Sequence, residues 1–258
     1  MKPLLSVVIP ARNEAQVLPA LLDDLAGLRA SGAELILVDG GSSDSTCELA
    51  RGRVDQILRV APGRALQMNA GAAAACGEYV WFLHADTRVS AASLMRLHDV
   101  LSERPLWGRF DVRLSGQGLA LRLIGAMISL RSRLSGIASG DQGIFVARQP
   151  FDALGGYAQI PLMEDLQLCK RLKSLARPRC LRPPLLTSSR RWEQNGIVRT
   201  VLLMWCLRLA YYCGVSPANT AEGHGYEPVD LIAPACSFTG RGAGKDSPDS
   251  SPGRSGGL

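Results

Sequence analysis

The sequence has 258 residues, of which 47% are hydrophobic and 20% are charged, so it can bury the core of one large domain. The formal net charge is +6, and arginine supplies most of the positive charge, which suits phosphate groups or anionic surfaces. Aromatic residues make up only 5% of the chain and do not follow a basic stripe. This composition argues against a protein that binds single-stranded nucleic acid, so no nucleic-acid partner is expected.

The cysteines and the apolar segments indicate the cellular compartment of the protein. Seven cysteines are scattered, odd in number and without a C-x-x-C pair, which argues against a disulfide framework or a zinc site. We therefore expect reduced thiols and a cytoplasmic setting. The apolar start at residues 4–9 lacks a cleavage site and is predicted to be a strand rather than a signal peptide. The apolar segments 119–130 and 197–213 are interrupted by arginines, so no membrane-spanning helix is predicted.

The first half of the chain alternates strand patterns with helix patterns. Continuous apolar runs predict strands at residues 4–9, 35–38, 56–60 and 79–83. Helical spacing of apolar residues and capping signals predict helices at residues 14–29, 46–51, 64–76 and 90–103. The alternation predicts an α/β fold, with a mostly parallel central sheet covered by helices on both faces. Ligands of such sheets bind beyond the carboxyl ends of the strands.

The second half is less regular. Strands are predicted at residues 110–114 and 143–147, and helices at residues 119–134, 163–175 and 197–213. Residues 239–258 are almost entirely Gly, Ser, Pro, Asp, Lys and Arg and are predicted to form a disordered tail. We expect one domain over residues 1–238, with a nucleotide-binding half up to about residue 104 and an acceptor half from about residue 105.

Two aspartates stand where predicted strands end. Asp39 opens the run Asp-Gly-Gly-Ser-Ser-Asp, whose glycines permit close approach to a ligand, although an ordinary strand-to-helix turn is an alternative. For Asp44, in the same run, a capping role is the plainer interpretation. Asp86 closes His84-Ala85-Asp86, where a carboxylate can hold Mg²⁺ or Mn²⁺ against a diphosphate. His84 would favour Mn²⁺ as a further ligand, but packing or hydrogen bonding is commoner for a lone histidine.

Glu164 and Asp165 begin a predicted helix. One of the two carboxylates can take the proton from an attacking hydroxyl. Neighbouring side chains on a helix point about 100° apart, so only one of them faces the cleft, and we assign Asp165 as the base. Stabilisation of the helix N-terminus is the alternative role of Glu164.

A basic turn ahead of the last predicted helix supplies further candidates. Guanidinium groups bind phosphate in a bidentate manner, and a tryptophan offers a flat platform for a sugar or an acceptor. A solvated basic turn is the alternative. The candidate contacts to the acceptor or the diphosphate are Arg190, Arg191, Trp192, Asp141 and Gln142.

Taken together, the motifs resemble those of small inverting glycosyltransferases of family 2, which have the GT-A fold, over residues 4–215. Residues 6–14 are similar to the family's opening strand and base-binding loop, and residues 37–44 resemble its Asp-Asp-Gly-Ser-x-Asp stretch. Residues 63–79 match the helix and strand that lead to its metal motif. The resemblance implies nucleotide contacts by Pro10, Ala11, Arg12, Glu14, Asp39, Arg64 and Asp86.

The remaining motifs match the pattern of the family at some positions and depart from it at others. Asp86 takes the place of the last acid of Asp-x-Asp, whereas His84 stands where the family usually has the first acid. Residues 164–165 correspond to the acidic pair that supplies the base. Residues 188–192 resemble Gln-x-x-Arg-Trp without its glutamine, which argues against a processive polymerase. Within the family, the likeness is to a bacterial subgroup of short transferases named for association with radical-SAM and selenium-domain proteins.

The resemblance implies transfer of a sugar, with inversion, from a UDP- or GDP-sugar to an acceptor that the sequence does not identify. Asp165 would remove the acceptor's proton, and Mn²⁺ or Mg²⁺ at Asp86 would stabilise the diphosphate. Relatives that act on carotenoid acids or polyprenyl phosphates make a lipid or isoprenoid acceptor an open alternative. Such an enzyme would be cytoplasmic, with peripheral contact to the inner face of the cell membrane.

Two other functions stay open. A sugar-phosphate nucleotidyltransferase shares the layered sheet, but it needs a glycine-rich phosphate loop, and residues 10–14 contain no glycine. A non-catalytic module at the membrane surface is indicated by the basic amphipathic segments 119–134 and 197–213. The same segments would equally suit buried core helices, or an enzyme that reaches a lipid-linked acceptor.

Overall fold

The computed structural model describes residues 2–190, 193 and 196–212, so the predicted tail and the last part of the predicted domain lie outside the described residues. The strands are β1 (Leu5–Ala11), β2 (Glu34–Asp39), β3 (Gln56–Arg59), β4 (Tyr79–Phe82), β5 (Trp107–Leu114), β6 (Phe145–Ala147) and β7 (Arg179–Thr187). The helices are α1 (Leu18–Ala30), α2 (Thr46–Ala50), α3 (Arg64–Ala74), α4 (Ala91–Ser102), α5 (Leu119–Ser135), α6 (Arg148–Ala153), α7 (Glu164–Leu175) and α8 (Ile197–Tyr212). A 3₁₀ turn, Gly140–Gln142, precedes β6.

The strands form one seven-stranded sheet in the order β3-β2-β1-β4-β6-β5-β7. Strand β6 runs antiparallel to β4 and β5, and every other pairing is parallel. The carboxyl ends of the six parallel strands therefore meet the start of β6 at one edge, which we call the ligand edge. The prediction of an α/β fold with a mostly parallel sheet is confirmed.

Apolar side chains on both faces of the sheet form two core clusters. Val7 and Ile9 of β1 pack with α1 and α4 on one face, whereas Val8 packs with α3 and α7 on the other. Because both faces are covered, the strands carry nearly continuous apolar runs, which is why the sequence pattern predicted them. Helices lie on both faces, as expected.

Two differences from the predicted elements have simple physical causes. Helix α1 begins at Leu18 rather than Glu14, because residues 14–17 form a turn and Pro19 stands in the first helical turn, where a missing N–H costs nothing. Strand β7 was not predicted because it contains Pro183 and Pro184. It is the end strand of the sheet in the described part of the chain, with β5 as its one neighbouring strand there, so it tolerates residues that cannot donate a backbone hydrogen bond. The six-residue helix α6 was also not predicted.

Two sequence expectations concern the membrane and the thiols. None of the helices in the described part of the chain combines the length and the hydropathy needed to cross a bilayer. The cysteines among the described residues, at positions 47, 76, 169, 180 and 206, are free thiols. Cys213 and Cys236 lie outside the described residues.

Helix α3 lies unusually close to the sheet at Gly71, and this approach can be tested. A Cβ atom at Gly71 would lie 2.3 Å from Cγ1 of Val8 and 2.9 Å from Cγ2 of Val38. We expect Gly71→Ala to lower the free energy of unfolding by about 2 kcal/mol, measured by urea denaturation, because the helix must move away from the sheet. The control is Gly27→Ala in α1, where nothing lies within 4 Å and alanine should stabilise the helix by up to about 1 kcal/mol. Equal effects of the two substitutions would contradict the close packing.

Candidate active site

Two segments that follow neighbouring strands are tied together at the ligand edge. The N–H of Asn13 donates to Oγ of Ser42 at 2.9 Å, and the N–H of Ser43 donates to Oδ1 of Asn13 at 2.8 Å. The N–H of Glu14 donates to Oγ1 of Thr46 at 2.8 Å. Asn13 has a φ of 55°, a left-handed conformation that asparagine tolerates better than most residues. The segment predicted to contact the nucleotide base is therefore fixed by its neighbour.

Asp44 belongs to the same connection. One carboxylate oxygen accepts the N–H of Thr46 at 3.0 Å, and the other accepts the N–H of Ala15 at 3.1 Å. Hydrogen bonds from Thr46 lower the pKa of Asp44 below its ordinary value. These contacts support the plainer interpretation, in which Asp44 holds the loops and does not touch a ligand.

The other predicted members of the base loop differ in exposure. The carbonyl of Ala11 accepts the N–H of Gly40 and the side-chain amide of Gln67, both at 2.9 Å, while the side chain of Arg12 is exposed. Pro10 is half-buried at the end of β1. Arg12 is thus the member of this segment whose side chain is most available to a ligand.

Asp39 is the last residue of β2 and only 1% exposed. Its Oδ1 accepts the N–H of Ser42 at 3.0 Å, and Nε of Arg59 lies 3.9 Å from Oδ2. Burial alone would raise the pKa of Asp39, but hydrogen bonds from Ser42 and Cys47 and the charge of Arg59 bring it below its usual value. The carboxylate therefore stays ionised and can accept N–H groups of a base.

Arg64, the first residue of α3, joins two parts of the site. Its guanidinium lies 2.7 Å from Nδ1 of His84, and its Nε lies 3.7 Å from Oε1 of Glu164. It thereby connects the segment after β4 with the start of α7. A cation in this position can attract a diphosphate.

His84 is 8% exposed, and both nitrogens of its ring contact other side chains. Nδ1 lies 3.1 Å from Oδ1 of Asp141, while Nε2 also contacts the guanidinium of Arg64. The guanidinium of Arg64 lies within hydrogen-bond distance of both ring nitrogens, and Asp141 lies beside Nδ1. Both ring nitrogens are then occupied, so this arrangement offers none to a metal ion. Gly140 makes the packing possible, because a Cβ there would lie 2.9 Å from the His84 ring.

Asp165, the predicted base, is half-buried at the start of α7. Its Oδ2 accepts the N–H of Gly140 at 2.6 Å, and its Oδ1 accepts the N–H of Leu166 at 2.7 Å. These bonds fix the orientation of the carboxylate. Each oxygen keeps a second lone pair that can accept a hydroxyl proton.

Glu164 is 6% exposed, deeper than Asp165. Burial, followed by the charge of Asp165, raises the pKa of Glu164 to about 7, while Arg64 opposes this rise. A carboxyl group with this pKa is half-protonated near neutral pH and is therefore sensitive to its surroundings.

Asp86, Glu14 and Arg190 meet at the ligand edge from the segments after β4, β1 and β7. Burial and then the charge of Asp86 raise the pKa of Glu14, and the charge of Arg190 lowers it. A nitrogen of Arg190 lies 3.9 Å from Oε2 of Glu14. Asp86 itself is half-exposed. The three residues thus form a charged group at the ligand edge.

Three further predicted contacts have different outcomes. Gln142 is fully buried, and its amide donates to the carbonyl of Phe110 at 3.2 Å and to Ser132 at 2.9 Å, so its side chain serves the packing of the 3₁₀ turn. We do not include it among the proposed ligand contacts. Arg191 and Trp192 lie outside the described residues.

Sequence reasoning missed two residues of α3 that build the site. The side-chain amide of Gln67 donates to the carbonyls of Ala11 and Val38 at 2.9 and 2.8 Å, which joins the ends of β1 and β2. Asn69 exchanges two hydrogen bonds of 2.8 Å with the backbone of Tyr157, and so holds the loop that leads to α7. The sequence offered one signal for these residues, namely side-chain amides within an alanine-rich predicted helix.

The described residues contain no group of three His, Cys, Asp or Glu side chains arranged to hold a metal ion. Mg²⁺ and Mn²⁺ are commonly held by one or two carboxylates together with phosphate oxygens and water. The half-exposed carboxylate of Asp86 fits this open type of site, in which a diphosphate supplies the remaining ligands.

The family follows from a comparison with known proteins. The model of the glycosyl transferase family 2 matches residues 6–147, more than half of the 258 residues. The chain belongs to glycosyl transferase family 2. Among curated family 2 relatives, the beta-monoglucosyldiacylglycerol synthase of Synechocystis is 27% identical over 197 residues, which cover 66% of this chain and 40% of that protein. The chain spans 19 to 40% of the length of curated relatives that it matches.

Two solved structures resemble this glycosyl transferase family 2 chain. TarS (residues 1–349) of S. aureus in complex with UDP-GlcNAc has a TM-score of 0.60 and 18% identity, over 73% of this chain and 58% of that chain. The mannosyltransferase PcManGT of Pyrobaculum calidifontis in complex with GDP-Man and Mn²⁺ has a TM-score of 0.57 and 18% identity, over 88% and 66%. The shared fold confirms the prediction of a GT-A fold.

The raised pKa of Glu164 predicts a pH-dependent stability. The folded pKa of about 7 lies above the ordinary value of 4.5, so the folded state keeps the proton and loses stability as pH rises between these values. Glutamine imitates the protonated form. We expect Glu164→Gln to gain about 2 kcal/mol of unfolding free energy relative to the unsubstituted protein between pH 5 and pH 8, measured by denaturant titration.

Glu78→Gln is the matched control, because it removes the same charge from an exposed position. Its effect on stability should not differ between the two pH values. The prediction fails if Glu164→Gln behaves like this control.

Proposed function

We propose that the protein transfers a sugar from a nucleoside-diphosphate sugar to an acceptor, with inversion at the anomeric carbon. The observation that carries this proposal is the contact of Arg64 with both His84 and Glu164 at the ligand edge. It brings a phosphate-attracting cation next to the acidic pair that would handle the acceptor's proton. Membership of glycosyl transferase family 2 supports the same reaction.

The donor would lie across the carboxyl ends of β1, β2 and β4. Asp39 would accept hydrogen bonds from the base, and the segment from Pro10 to Glu14 would line its other side. Arg64 would contact the diphosphate. TarS has been solved with UDP-GlcNAc and PcManGT with GDP-Man, so both UDP- and GDP-sugars stay candidate donors.

A divalent cation is part of the proposal. Asp86 would hold Mn²⁺ or Mg²⁺ together with the diphosphate, and the bound cation would supply positive charge to the leaving group. The Mn²⁺ in the PcManGT complex supports this assignment. His84 is left out, because Arg64 and Asp141 already occupy its ring.

Asp165 would act as the base. Its carboxylate is oriented by backbone N–H groups and remains open to a further hydrogen bond, whereas Glu164 is deeper and has a pKa of about 7. The acceptor oxygen attacks the anomeric carbon as the bond to the diphosphate breaks, and the acceptor's proton passes to Asp165. The nucleoside diphosphate leaves with the bonding electrons. A single displacement of this kind inverts the configuration.

The proposal also includes the acceptor side of the site. We propose a lipid or isoprenoid acceptor, for which the name of the Synechocystis relative, beta-monoglucosyldiacylglycerol synthase, gives support. Arg190, Arg191 and Trp192 would contact the acceptor or the diphosphate, and Asp141 would lie beside them. We further propose one catalytic domain over residues 1–238, a cytoplasmic location with peripheral membrane contact, and membership of the radical-SAM-associated and selenium-associated subgroup.

A non-catalytic module at the membrane surface is the second candidate, favoured by apolar side chains exposed on α5. A sugar-phosphate nucleotidyltransferase has less support, because the segment after β1 lacks glycine.

The role of Asp165 can be tested without knowing the acceptor, by following slow hydrolysis of the donor. We expect Asp165→Asn to lower the release of nucleoside diphosphate from UDP- or GDP-sugars by about 10³-fold, because the attacking water loses its base. The donor dissociation constant should stay within about twofold, since the base does not hold the donor. Asp99→Asn, an exposed acid on α4, is the control and should keep full activity. Retention of full activity by Asp165→Asn would refute the assignment.

Calorimetry tests the cation and separates the enzyme from a scaffold. With Mn²⁺ or Mg²⁺, the unsubstituted protein should bind UDP or GDP with a heat that disappears after chelation. Asp86→Asn should weaken this binding by about tenfold or more, because the cation loses its protein carboxylate. The Asp99→Asn variant should bind like the unsubstituted protein. A complete absence of metal-dependent heat would favour the scaffold.

A further inference from the structure

Helix α5 has mostly small residues on its inner side, and most of its large apolar residues are on its outer side. The buried positions are Leu121, Gly125, Ser129 and Ser132. The exposed positions, which we call the α5 stripe, are Leu119, Leu123, Met127, Leu130 and Leu134. Steps of three and four residues keep the stripe on one side of the helix. A surface helix normally has the opposite arrangement, with its apolar side toward the core.

The orientation of α5 is fixed by its contacts with β5. Ser129 accepts the N–H of Val112 at 3.0 Å through its hydroxyl. At Gly125 the helix comes so close that an added Cβ would lie 3.1 Å from the carbonyl oxygen of Val112. Small residues are therefore required on the inner side, and the helix cannot turn the α5 stripe into the core.

The exposure of the α5 stripe is large. Leu119 is 82% exposed, Leu134 is 79% exposed and Leu123 is 62% exposed. These values answer the question that the sequence left open for this segment, because the five apolar residues of the α5 stripe are not core residues. A continuous apolar stripe of this kind marks an interaction surface.

The charged residues of helix α5 itself are all positive. Helix α5 contains Arg122, Arg131 and Arg133, and neither Asp nor Glu. Near its end, buried Asp111 accepts hydrogen bonds from Arg133 and Arg182, each at 2.8 Å, and also pairs with Arg109. One carboxylate thus faces three guanidinium groups, so positive charge remains in excess, and Arg182 is largely exposed.

We propose that the α5 stripe docks on a bilayer surface that contains anionic phospholipids. The apolar side chains enter the boundary between headgroups and acyl chains, and the arginines contact lipid phosphates. A second copy of this chain is a poorer occupant, because symmetric pairing of two α5 helices would bring arginines against arginines with no acid on either helix. Helix α8 has the same character, with exposed Leu202, Trp205 and Leu209 and no acidic residue. This docking does not depend on the proposed sugar transfer.

Co-sedimentation with vesicles tests the proposal. The full chain is mixed with vesicles of phosphatidylcholine alone, or with about one third phosphatidylglycerol, at low and at high salt. The unsubstituted protein should bind the anionic vesicles and release partly at high salt. The triple variant Leu123→Ser, Met127→Ser, Leu130→Ser should bind at least about tenfold more weakly, since three inserting side chains are lost.

The triple variant should remain folded, because the replaced side chains are exposed, and its unfolding transition provides the check. Met95→Ser is the matched control, since Met95 is an equally exposed apolar residue on α4, and it should bind like the unsubstituted protein. Arg122→Gln should weaken binding to anionic vesicles only. The proposal is overturned if the unsubstituted protein does not bind anionic vesicles. It is equally overturned if the triple variant binds them as tightly as the unsubstituted protein. It is also overturned if the triple substitution instead converts a dimer in solution to a monomer.

Discussion

The guanidinium of Arg64 is the contact on which the candidate site depends. It lies between His84 and Glu164, and so connects a strand end with a helix start that are 80 residues apart in the chain. Besides Glu164, two further carboxylates lie in this region. They belong to Asp165 and Asp141, and their charges raise the pKa of Glu164. The carboxylates next to Arg64 would oppose the approach of a bare diphosphate. An accompanying divalent cation would reverse that balance, which is the physical reason to expect metal and donor to bind together.

His84 is neutral or cationic where related enzymes usually have an acid, but a carboxylate, that of Asp141, still lies next to it. An acid in its place would face Arg64 directly. The imidazole instead also contacts Asp141, whose Oδ1 lies 3.1 Å from Nδ1 of His84 and belongs to a different segment. The carboxylate is thereby supplied by the 3₁₀ turn before β6, the antiparallel strand. Because Gly140 of that turn also donates its N–H to Asp165, one short segment positions both the histidine and the proposed base.

The sequence predicted the parts of the structure that depend on local pattern. Strands β1 to β4 were recognisable because their residues are apolar on both faces, and Asp39 and Asp86 because they end such runs. The direction of β6 was not readable, since orientation depends on pairing with strands far away in the chain. Strand β7 was not predicted because it contains two prolines, which only an edge strand tolerates. The inward position of Gln142 and the occupied ring of His84 were also hidden, because partners such as Ser132 and Arg64 are brought there only by the tertiary fold.

The hydrogen bonds between the segments after β1 and β2 have a consequence for recognition of the donor. Asn13, Ser42 and Thr46 hold these segments in one conformation through bonds that need no ligand. Little conformational entropy is then lost when a base enters, so affinity at this end depends on how well the base matches a surface that already exists. Discrimination between uracil and guanine would operate by exclusion of the wrong shape, rather than by a loop that remodels itself around each one.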